Sequence, residues 1–93
     1  MENKNEKLAE MTKEIMERMN LRARMMVYLY AYNLVVATKR AGDPLFEKEP
    51  MPPHDVLHLR VRNLMRNATE KEAKYILAFA LAKRTADKKR SEP

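Results

Sequence analysis

Apolar residues recur at helical spacing from the start of the chain. At 100° per residue, Leu8, Met11, Ile15, Met19 and Met26 fall within an arc of about 80°, opposite Glu10, Glu14 and Glu17. After Leu21 the pattern broadens. The first stripe continues through Leu29, Val36 and Ala37, and a second apolar face appears with Tyr28, Tyr32 and Val35. No charge interrupts residues 25–37, where Asn33 is the only side chain without an apolar body. The spacing predicts one long N-terminal helix over residues 6–41. Tyr28, Tyr30 and Tyr32 also alternate with Leu29 and Ala31, as Leu57, Leu59 and Val61 do with their neighbours. Strand pairing is the weaker reading, because neither stretch has turn residues on both sides and two strands alone are marginal in water.

Gly42 is placed to end that helix, since glycine adopts the left-handed conformation at no steric cost. Residues 43–53 carry four of the five prolines. They predict a stiff, extended loop, pinned by Leu45, Phe46 and Met51. A second helix is predicted over 53–67, with Pro53 at its first position and Leu57, Val61, Leu64, Met65 and Ala68 as its buried stripe. Thr69 and Glu72 have capping-box spacing. They open a third helix over 70–87, striped by Ala73, Ile76, Leu77, Ala80 and Leu81 and widened by Tyr75 and Phe79. Residues 1–5 and 88–93 read as frayed tails. The fold class is all-α, with residues 1–93 as a single domain.

These lengths raise a problem of cover. At 1.5 Å per residue the long helix would span roughly 54 Å, and the two shorter ones roughly 22 and 28 Å. Laid end to end, the short helices shield one face of the long one and leave the other wet. A helical-bundle homodimer is therefore expected, most simply two-fold. Its surface, which would also capture a partner, is assigned to Met19, Met26, Tyr28, Tyr32, Asn33 and Val35. A lone asparagine in an apolar seam fixes register and oligomer number. A three-helix monomer with a kinked first helix is the competing architecture.

Composition narrows the function. The chain has no cysteine and one glycine, and its net charge is +6. A disulfide framework and a thiolate metal site are excluded, and a reducing cytoplasm is the expected location. At thirteen residues the uncharged stretch is too short to span a bilayer, the N-terminus carries no signal-peptide pattern, and no membrane association is expected. The positive surplus lies in residues 21–42, 54–68 and 69–93. Part of it suits helix C-termini, where the dipole is negative. Read as function, it gives an alternative: nucleic-acid binding through Arg60, Arg62 and Arg66 together with Lys83, Arg84, Lys88, Lys89 and Arg90.

Catalytic signatures are weak. His54 and His58 stand four apart, as in the His-Glu-x-x-His signature of zinc peptidases, but Asp55 replaces the glutamate and no third His or Cys exists. No metal and no cofactor are expected. Glu6-Lys7-Leu8-Ala9-Glu10 looks similar to the first helix of AroQ-type chorismate mutases. Thr12 stands where that family has an arginine, Tyr28, Leu29 and Tyr32 occupy the region of its second substrate-binding arginine, and only Lys39 remains as a match. A small enzyme of that type is a distant third reading. The leading expectation is a non-enzymatic interaction or regulatory module that forms a homodimer and binds another macromolecule, using helix one or the loop at 43–53.

Overall fold

The structure, a computed structural model, describes the backbone of residues 4–91 and the side chains of residues 4–85. It holds four α-helices: α1 (Glu6–Glu17), α2 (Leu21–Tyr32), α3 (Leu57–Arg66) and α4 (Glu70–Ser91). A π-helical turn, Asn33–Ala37, extends α2, and a 3-10 turn, His54–Val56, leads into α3. There is no strand among the described residues.

The single long N-terminal helix does not exist; its first helix has twelve residues. The chain breaks at Arg18–Asn20. Asn20 leaves helical geometry at φ −71°, ψ 166°, and its side chain accepts the Ala23 N–H at 2.8 Å, an N-cap bond that starts α2. Arg24 secures the break from the other side. Its guanidinium donates to the Met19 carbonyl at 3.0 Å and the Glu17 carbonyl at 3.2 Å, supplying donors to the open end of α1. One segment thus starts a helix and finishes another, and makes an elbow.

The elbow sets the packing. α1 runs antiparallel to α3, since Arg66 meets Glu6 while His58 lies near Glu17. α2 runs antiparallel to α4, since Lys39 meets Glu72 and Tyr30 stacks on Phe79 with ring centroids 4.3 Å apart. Each of α1 and α2 packs on both α3 and α4. The interior is one cluster in which Met16, Val27, Leu57, Val61, Met65 and Ile76 are fully enclosed. Ala9, Ala23, Ala31, Ala73 and Ala80 are buried among them, and their small side chains let the helices approach closely.

Local signals hold where sequence and neighbours agree. The capping box forms as expected: Glu72 N–H donates to Thr69 Oγ1 at 3.1 Å, and Thr69 N–H donates to Glu72 Oε1 at 2.9 Å. Asn5, placed in a frayed tail by the sequence, is instead buried. Its amide donates to the Met65 and Ala68 carbonyls at 2.9 and 2.7 Å. It occupies the N-cap position of α1 but makes no side-chain cap there; it closes the C-terminal end of α3. Gly42 does take a positive φ of 94°, although regular helix has already ended at Ala37 and a run of turns fills the gap.

Candidate functional site

The six residues assigned to a partner surface divide between core and surface. Met19, Tyr28, Tyr32 and Val35 are buried by the chain's own helices, with Tyr28 only 4% exposed. The elbow turns this face onto α3 and α4, so these four need no second copy for cover. Met26 and Asn33 are exposed. They lie with Arg22 and Leu29 on one outward stripe of α2, since residues 22, 26, 29 and 33 follow helical i, i+4, i+3 spacing. Leu29 is 46% exposed and Met26 38%. Of the first apolar stripe, Ile15 and Met19 are buried while Met26 and Leu29 are left outside.

The arginine face proposed for nucleic acid is largely occupied. Arg66 Nε donates to Glu6 at 2.7 Å, and a second guanidinium nitrogen reaches Glu10 at 3.2 Å. Arg62 stands 3.6 Å from Glu10. The hydrogen bond from Arg66 lowers the Glu6 pKa below the ordinary carboxylate value. The acidic face of α1 and the basic face of α3 are each other's partners. Lys83 sits over the Phe79 ring at 5.3 Å. Arg84 borders a shallow groove between α1 and α4, floored by Met11, Ile15 and Leu81. The side chains of Lys88, Lys89 and Arg90 lie outside the described residues.

The enzyme readings rest on His54 and His58 and on Thr12 and Lys39. His54 is exposed and His58 half-buried, and no group of three potential metal ligands exists among the described residues. Thr12 is fully buried and donates its hydroxyl to the Leu8 carbonyl at 2.9 Å. Lys39 is paired with Glu72 at 2.9 Å.

One cleft was not anticipated. Tyr28, Tyr32 and Val36 form one wall, at the end of α2 and its π turn. Arg60, Asn63 and Leu64 of α3 and Asn67, its C-cap, form the other, and Glu49 also lines the cleft. Its volume is about 180 Å³. The π turn is marked by the bond from Thr38 N–H to the Asn33 carbonyl, 2.8 Å long; such turns recur at functional sites. Glu49 N–H donates to the Tyr32 hydroxyl at 3.1 Å, which ties the proline-rich loop to this wall. Tyr28 and Tyr32 stack with centroids 5.9 Å apart. Burial raises the Tyr28 pKa, and the Glu49 charge raises it further. Sequence reasoning missed this cleft because its two walls lie about thirty positions apart and its one local signal, Arg60, reads as part of a basic stripe.

Among the described residues no helix is long and apolar enough to cross a membrane. No protein-family model matches the chain, and neither does a curated protein or a solved structure.

Proposed function

We propose that this chain is a non-enzymatic interaction module whose docking surface is the outward stripe of α2, and that a second copy is its first occupant. The observation that carries this reading is the exposure of Leu29 and Met26 in the middle of a helix that is apolar on nearly every side. A surface helix ordinarily shows charge on its outer face. Here Arg22 is the only charge on the stripe and Asn33 closes its far end. Two copies of the stripe meeting about a two-fold axis would bury both leucines and set Asn33 at a position where it selects register. The dimer would present the rest of its surface to another macromolecule, as a regulatory protein in the cytoplasm.

The test is sedimentation velocity on the chain and on Leu29→Glu. The wild type is expected to associate with rising concentration. The variant is expected to remain at the 11.0 kDa of one chain, with unchanged helical circular dichroism because the site is exposed. A wild type that sediments as one chain at every concentration overturns the reading. Added duplex DNA or RNA in a parallel series tests the nucleic-acid alternative. Binding that weakens steeply with salt would support it.

A further inference from the structure

We infer that the cleft between α2 and α3 binds a small zwitterion, of the class of a free amino acid with an apolar side chain. The inference is independent of the dimer. Arg60 and Glu49 border the same small space, yet neither side chain has an ion-pair or hydrogen-bond partner among the described residues. Two opposite charges left open across one cleft match a ligand that carries both signs. A simple anion would meet Arg60 but be repelled by Glu49, and a simple amine would meet the reverse.

The remaining walls suit the same ligand. Val36, Leu64 and the tyrosine rings supply an apolar side for an aliphatic group. The Tyr28 hydroxyl has no hydrogen-bond partner among the described residues and is open to the cleft that the residue lines. The Tyr32 hydroxyl accepts from Glu49 N–H, so its own proton remains to be donated. Both phenols can donate to a carboxylate held by Arg60. The cleft volume of about 180 Å³ lies below the roughly 300–1,000 Å³ of drug-sized ligand pockets, which suits a small ligand.

The experiment is a ¹H–¹⁵N titration of the full chain with L-leucine. Two arms use analogues that each lack one charge, 4-methylpentanoate and 3-methylbutylamine. Leucine is expected to give saturable shifts at the backbone amides of Tyr32, Glu49, Asn63 and Asn67, half-complete at or below about 1 mM. Each analogue is expected to bind at least about tenfold more weakly, the loss of one charge-assisted contact. Glu49→Gln should erase the preference for leucine over 4-methylpentanoate. Arg60→Ala should erase the preference over 3-methylbutylamine. Both positions are exposed, so the variants are expected to fold, and the spectra report whether they do. The absence of saturable shifts with leucine up to about 10 mM overturns the inference. So does a carboxylate analogue that binds as tightly as leucine.

Discussion

Asn5 offers the sharpest test of how the bundle is closed. It stands at the N-cap of α1, where Asn and Asp are ordinarily interchangeable because either side chain can accept a backbone N–H. In this chain the side chain does something else: its amide donates two hydrogen bonds, at 2.9 and 2.7 Å, to carbonyls at the end of α3. The Met65 carbonyl also accepts the Ala68 N–H at 3.2 Å, so Asn5→Ala leaves it partly satisfied. The Ala68 carbonyl loses the donor that reaches it from Asn5. Two net hydrogen bonds of about 1 kcal/mol each, with part of a desolvation penalty, give a loss of about 2–3 kcal/mol. For a domain of this size that lowers the melting temperature by about 10–20 °C. Asn5→Asp is expected to be at least as damaging, because it removes the donors and sets a carboxylate against carbonyl oxygens. Urea unfolding followed by circular dichroism measures both, and the slope should be unchanged. If Asn5→Asp is as stable as wild type, the residue is an ordinary helix cap and the closure drawn above is wrong.

Other consequences can be checked alongside. Arg24→Ala strips donors from the Met19 and Glu17 carbonyls and should destabilise the fold by about 1 kcal/mol in the same urea assay. Glu6 and Asp43 both titrate below their ordinary values, Glu6 through the Arg66 hydrogen bond and Asp43 through the Leu45 N–H and then Arg40. Burial pushes Glu72 up, but the Thr69 N–H and Lys39 outweigh it and the net shift is downward. Carboxylates depressed on folding stabilise above their unfolded pKa and lose that contribution as pH falls through the folded value. Stability should therefore hold down to about pH 5 and decline below it, with a shallower decline in Glu6→Gln. Tyr28 has the opposite sign. Its folded pKa is raised, so its contribution is whole below the unfolded value near ~10 and disappears as pH climbs through the folded one. Tyr28→Phe should remove that alkaline component from a melting-temperature profile.

What the sequence disclosed was local. The Thr69–Glu72 box needs only four consecutive residues, and the Leu57–Val61–Met65 stripe only one helix, and both are present. The break at Asn20 escaped because apolar residues continue at helical spacing across it. Asn20 also has Ala23 three positions on, so no capping-box glutamate marks the start of α2. That one missed turn reversed the meaning of the next helix. Tyr28 and Tyr32 went inward and Leu29 went outward, although all three lie in a stretch with no charge to tell its faces apart. The fate of Arg62 and Arg66 depended on Glu6 and Glu10, more than fifty positions away. The cleft needed the loop at Glu49 to return to Tyr32, and such a contact leaves no periodic trace.

The most direct test of the central claim is a solvent paramagnetic relaxation measurement on the Tyr28 ring and the Leu29 methyls, made at low and at high protein concentration. The Tyr28 ring is expected to be shielded at both, covered by its own chain. The Leu29 methyls are expected to be strongly attenuated when dilute and protected when concentrated. Leu29 signals attenuated equally at both concentrations, or a Tyr28 ring open to the probe when dilute, would contradict the division of α2 into an inner face that the chain covers and an outer face kept for a second molecule.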